Sequence, residues 1–247
     1  MYAFRNESPV PVELASTTFG PLEKYVPAND NHQGGAYIGL RRSTVDGRTD
    51  AVGGFDIPPE LRSAFLELAR HGDFMQTATG RKFWPMDPRA DEVFIEDIAH
   101  SLAMQCRYAG HCLRYYTVAE HSVLMARHLR PEGVEVALWA LLHDASEAYL
   151  VDVPRPVKPH LNGYKAAENK VMAAVTRRFQ MAEEMPAAVH EADERIIADE
   201  LVNLVPMDWH GKHRNPLGVK LQYWSPENAK GEFLATFDAL MDAREVA

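Results

Sequence analysis

The chain is poor in cysteine: 247 residues contain only Cys106 and Cys112. No disulfide framework is implied, so reduced thiols and a cytoplasmic protein are expected. A structural zinc finger is excluded too, because no second Cys or His pair follows at finger spacing. There is no run of about 18 apolar residues, so no membrane span is expected. The opening residues MYAFRNESPVPVE lack the basic start and apolar stretch of a signal peptide. Positive charge is also short. Lys and Arg number 26 against 35 Asp and Glu, a formal net charge of -9. Neutralising many phosphates needs a basic face, so polymeric nucleic acid is not an expected partner. One small anion is still compatible, since a metal and two or three local cations can hold it. Internal repeats and low-complexity tracts are missing as well.

What remains is the composition of an ordinary globular protein with a sizeable core, long enough for one domain and an extra segment. The first 56 or so residues hold Pro9, Pro11, Pro21, Pro27, Gly34-Gly35 and Gly53-Gly54 and show no helical period. They read as loop or an ordered, irregular N-terminal arm. Pro58-Pro59-Glu60 opens a short helix ending near Gly72, which places a domain boundary near residue 75. The arm's apolar and proline content suits a cover over a site mouth or a homodimer contact.

From 76 onward the pattern predicts an all-α domain with a minor β-hairpin. GRKFWPMDP (80–88) reads as a short strand and turn, with Leu113–Tyr116 as a candidate partner for Lys82–Trp84. Helices are expected near 92–107, from Thr117 to about Arg130, from Gly133 to about Leu150, 166–179, 186–205 and 226–243. Thr117-Val-Ala-Glu120 has the form of a capping box. Ser225-Pro226 supplies an N-cap and a first-turn proline.

The chemistry centres on His143-Asp144. Such a dipeptide is expected about once by chance in a chain with this many His and Asp residues. Its setting is unusual. The helix before it, from Val134 to Leu142, is apolar all round and so belongs in the domain centre. A carboxylate there costs several kcal/mol unless it is paired or metal-bound. His121 shares a face with Val118, Met125 and Leu129, and Asp193 interrupts the stripe Val189, Ile196, Ile197, Leu204. Singly, each has an ordinary explanation: a hydrogen-bonded core histidine, or a carboxylate paired with a buried base. Together they make two imidazoles and two carboxylates on three core helices. That ligand set suits one divalent transition metal ion (Mn, Co, Fe, Ni or Zn) with positions left open for water and a phosphoryl oxygen. Glu147, a turn beyond the pair, is the candidate general acid or base; an exposed helix-end glutamate is the alternative.

The order His121, His143-Asp144, Asp193 resembles the HD-domain metal-dependent phosphohydrolases, and its setting resembles their bacterial 5'-deoxynucleotidase-like branch. The stretches that carry the likeness are YTVAEHSVLMARHL (116–129), ALLHDASEAYLVDVPRPVK (140–158) and HEADERIIADEL (190–201), with GRKFWPMDPRADEVFIEDIAHSLAMQCRYAGH (80–111) beside them. It covers about residues 76–243. The resemblance implies an HD-type helical bundle in which His121, His143, Asp144 and Asp193 ligate the metal and Glu147 moves the proton. It also implies that Arg107 and Lys158 lie near phosphate and Asp152 near the sugar. Tyr108 stands where the family often carries tryptophan, which places it at the substrate. The expected activity is removal of phosphate from a nucleotide, with a deoxynucleoside 5'-monophosphate as the first choice. Hydrolysis of a nucleoside triphosphate or alarmone is the alternative within hydrolases. A di-iron oxygenase, drawing on His160 and His190, and a non-catalytic nucleotide-binding module are the alternatives outside it.

Overall fold

The computed structural model describes residues 72–246 throughout, Arg70, and the backbone of strands at 22–25, 36–43 and 49–57. The helix expected from Pro58 falls on residues 58–69 and 71, outside the described residues. The chain divides into two compact units, Met1–His71 and Gly72–Ala247.

In the first unit, β1 (Leu22–Tyr25), β2 (Ala36–Ser43) and β3 (Thr49–Ile57) form an antiparallel sheet in that order. This corrects the loop reading of these segments. Gly53 and Gly54, taken as turn residues, lie within β3 opposite Leu40 and Gly39. Glycines facing across a ladder leave no alternation of side chains to read, and glycine in a strand often marks close backbone approach. A register shift between Leu40 and Arg41 obscures the period further.

The second unit is all-α with one small hairpin. β4 (Met75–Gln76) pairs with β5 (Lys82–Phe83). Asp97 anchors the hairpin by accepting from the Thr79 N–H and hydroxyl at 2.8 and 2.9 Å. Leu113–Tyr116 is not β5's partner. Its polar groups go elsewhere: Asn203 accepts from Leu113 N through its carbonyl and exchanges 2.8 Å side-chain bonds with the Arg114 backbone. Only the isolated bridge Cys106–Thr117 has sheet character here.

The helices follow as α1 (Ile95–Met104), α2 (Val118–Leu129), α3 (Val134–Leu142), α4 (Glu147–Leu150), α5 (Tyr164–Arg178), α6 (Ala187–Glu200) and α7 (Pro226–Glu245). Helix α3 packs against α2, α6 and α7, and Ala137–Leu142 are buried on every side. That matches its lack of a polar face. Ser225 caps α7 by accepting from Asn228 N.

Two local expectations are corrected. Thr117 does accept from Glu120 N, but the Glu120 carboxylate does not turn back to complete a capping box. It is fully buried and accepts instead from the backbone N–H groups of Gln222, Tyr223 and Trp224, at 2.6 to 3.0 Å. The helix expected from Gly133 to Leu150 is also broken. After Leu142 the chain tightens into i to i+3 bonds, Ala145 N to Leu142 O and Glu147 N to Asp144 O, before α4 begins. His143 and Asp144 therefore lie on a turn at the end of α3. Among the described residues, no helix is long and apolar enough to cross a membrane.

Candidate metal centre and cleft

His121 reaches the site from the middle of α2, His143 and Asp144 from the turn after α3, and Asp193 from α6. His121 Nε2 lies 3.3 Å from His143 Nε2, 3.4 Å from Asp193 Oδ1 and 3.8 Å from Asp144 Oδ2. His143 Nε2 lies 3.2 Å from Asp144 Oδ2 and 3.9 Å from Asp193 Oδ1. His121, His143 and Asp193 each offer one ligand atom within 4.8 Å of the others, a group that could hold a metal ion. The exposed His160 and His190 do not belong to it.

The hydrogen bonds on the far side of each imidazole decide what the near side can do. His143 Nδ1 lies 2.8 Å from the Ala140 carbonyl, which can only accept, so Nδ1 carries the proton. His121 Nδ1 lies 2.8 Å from Glu200 Oε1. Burial would raise the Glu200 pKa, but Arg107 and His121 outweigh it and hold it down to about 2. Glu200 is therefore an anion and His121 Nδ1 is also a donor. Both Nε2 lone pairs then point into one small space. At 3.3 Å two lone pairs repel unless a cation lies between them, either a proton or a metal ion. The donor set fits a transition metal on this ground. Without metal, a proton takes that role on His143. Burial alone would lower its pKa, but Asp144 and Asp193 beside it hold it up at about 9. Burial works against Asp144 and Asp193 too, and the imidazoles overcome it, keeping both carboxyls far below their ordinary value.

Glu147 opens α4 and is buried. Its Oε1 accepts from Lys158 Nζ at 2.9 Å, and its Oε2 has no hydrogen-bond partner. Burial, followed by the charges of Asp144 and Asp152, pushes it up to about 8, and Lys158 offsets this only in part. Lys158 also donates to Glu168 Oε1 at 3.1 Å, so it bridges two carboxylates. The Asp152 N–H donates to Gln105 Oε1, and burial raises its carboxyl. Just before it, Val151 has φ 69°, a strained setting for a β-branched residue. Arg107 approaches Glu200 through Nη2 and Nε, at 3.2 and 3.1 Å, and stands 3.7 Å from Asp144 Oδ2. The Tyr108 hydroxyl donates to Glu200 Oε2. Tyr108, Ala109 and Gly110 all have positive φ, a tight turn that brings both side chains back onto α6.

Asp144, Glu147, Asp152, Lys158, Arg107, Tyr108 and Asp193 all line one cleft of about 850 Å³. His121 and His143 lie behind it.

Sequence reasoning missed Glu200, which orients His121 and gathers Arg107 and Tyr108. Its signal was available: it stands seven residues after Asp193, two helical turns along the same face. It also missed Arg155, whose Nη2 is 3.9 Å from Asp193 and whose Nη1 pairs with Glu194 at 2.8 Å. The segment after α6 also lines the cleft, with Trp209, His210 and His213.

No family model matches this sequence. Among curated proteins, an uncharacterized protein of Escherichia coli strain K12, YfdR, is 35% identical over 179 residues, 70% of this chain and 99% of its own length. The chain belongs to the YfdR family. An uncharacterized protein of Rhodobacter capsulatus is 39% identical over 121 residues, 46% of this chain and 62% of its own length. The matched length in the YfdR comparison is close to that of the second unit, Gly72–Ala247, which holds the described lining residues of the cleft.

Proposed function

We propose that this YfdR-family protein is a metal-dependent phosphohydrolase that removes phosphate from a nucleotide, with deoxynucleoside 5'-monophosphates as the first candidates. The observation that carries the reading is the pair of Nε2 lone pairs facing each other at the charged end of a cleft. His121, His143, Asp144 and Asp193 would hold one divalent transition metal. Once bound, that ion polarises the phosphoryl oxygen and lowers the pKa of an attacking water.

The remaining work belongs to the chain. Arg107 offsets charge on the phosphoryl group as it transfers, and Glu200 fixes the guanidinium's direction. Lys158 adds a second cation beside Glu147. Glu147 can hold or accept a proton near neutral pH because burial has moved its pKa to about 8, and its unpartnered Oε2 is the atom on which that proton would sit. Asp152 and Tyr108 line the same cleft, and the resemblance implies that the sugar of a nucleotide would lie beside them.

Orthophosphate release from a panel of nucleoside mono- and triphosphates with added Mn or Co tests the reading. Release is expected with the metal and not with a chelator. Asp144→Ala, which removes a ligand and His143's counter-charge, should lower it by at least about a hundredfold. Unchanged release in that variant sinks the site. Pyrophosphate or triphosphate as the product would instead mean cleavage further along the chain.

A further inference from the structure

The cleft is much larger than a phosphate requires, and its lining is of two kinds. Arg107, Asp144, Glu147, Asp152, Lys158 and Asp193 are charged. The rest includes apolar side chains, among them Ile197 on α6 and several from the segment after that helix. Leu204, Val205 and Met207 lead into a 3₁₀ turn at Asp208–Lys212 that carries Trp209 and His210. Val205 is 65% exposed and Met207 64%. Large apolar side chains left open beside a charged site mark a binding surface more often than they mark packing.

Trp209 is held at a set angle. His210 meets it edge-on with ring centroids 4.4 Å apart, and His213 does so at 5.6 Å. Two such contacts on a partly exposed indole fix its orientation before any ligand arrives. The wall therefore suits a group that is flat and largely apolar on its faces, while the charged lining of the same cleft suits a phosphate.

We infer that the 204–213 wall recognises the base of a nucleoside monophosphate, with Trp209 as stacking platform. The inference rests on the phosphate-ester reading above and narrows it: a base-free sugar phosphate would be a poor ligand. Stacking of a base on an aromatic side chain is worth about 5- to 150-fold in affinity.

The test compares binding of deoxyadenosine 5'-monophosphate and deoxyribose 5-phosphate to the full chain with Mn, by titration calorimetry. The wild type should prefer the nucleotide by at least about tenfold. Trp209→Ala should remove most of that preference, and Trp209→Phe, which keeps a ring, should retain most of it. Equal affinities in the wild type, or an undiminished preference in Trp209→Ala, would overturn the inference. Orthophosphate release in parallel separates the two ideas. A base preference without release supports the wall and defeats hydrolysis. Release from both esters with equal affinity defeats the wall and leaves hydrolysis standing.

Discussion

Glu200 touches three residues of the candidate site and has none of the exposure that would draw attention to it. Its carboxylate holds the proton on His121 Nδ1 and pins Arg107 and Tyr108. Glu200→Gln keeps the volume and loses the charge. The amide can present either an oxygen or an N–H to His121, so the tautomer that frees Nε2 is no longer enforced. Metal affinity is expected to fall about 10- to 100-fold, measured by competition with a chromophoric chelator. A variant that binds metal as the wild type does would show that Glu200 serves Arg107 and Tyr108 alone. Residues that act through a neighbour in this way are hard to see in a sequence. A glutamate near a helix end reads as solvated until something is found to face it.

At the scale of elements, the site depends on where helices stop. In the tight turn from His143 to Ser146, Asp144 Oδ2 lies 3.2 Å from His143 Nε2, and Glu147 opens α4 just beyond it. The break is hard to read because Ala145, Ala148 and Tyr149 continue the buried apolar positions across it. Glu120 is a similar case. Its place three residues after Thr117 fits a capping box, but three backbone N–H groups before α7 hold it more strongly than one at the start of α2. Glu120→Ala leaves those donors without a partner in a part-buried setting. A loss of about 3 kcal/mol or more is expected in urea unfolding, with the denaturant slope unchanged. A loss under about 0.5 kcal/mol would mean that water replaces the carboxylate at no cost.

For the whole molecule, the metal centre ties stability to pH. Among the groups raised in the folded, metal-free protein, His143 goes from 6.5 to about 9 and Glu147 from 4.5 to about 8. A raised value means the folded state prefers the protonated form. His143's contribution is full below about 6.5 and is lost as pH rises through 9. Glu147's is full below about 4.5 and is lost as pH rises through 8. Both act in one direction. The chelated protein should therefore lose a few kcal/mol between about pH 6.5 and 9, seen as a falling Tm. On the proposed reading a metal ion would take the place of the proton on His143, so added Mn or Co should raise Tm, and by more at pH 8.5 than at 6.5. An equal rise at both pH values would argue that metal does not compete with that proton.

The sequence by itself determined the helical class of the second unit, the burial of the helix before His143, and the inward face of His121. These follow from periodicity and from the cost of burying charge, and both are local properties of the chain. The irregular reading of the arm failed at 22–25, 36–43 and 49–57, where facing glycines and a bulge erase the period on which it depended. Only the tertiary structure decided the rest. It brought Asp193 to within 3.4 Å of His121 and set Glu200 behind that histidine. It also turned 204–213 into a wall of the cleft. Those juxtapositions join residues 72 to 79 positions apart in the two carboxylate contacts, and a partner at such a distance leaves no pattern in either local stretch. The repulsion between two Nε2 lone pairs, which gives the centre its appetite for a cation, exists only once both imidazoles have been folded to face each other.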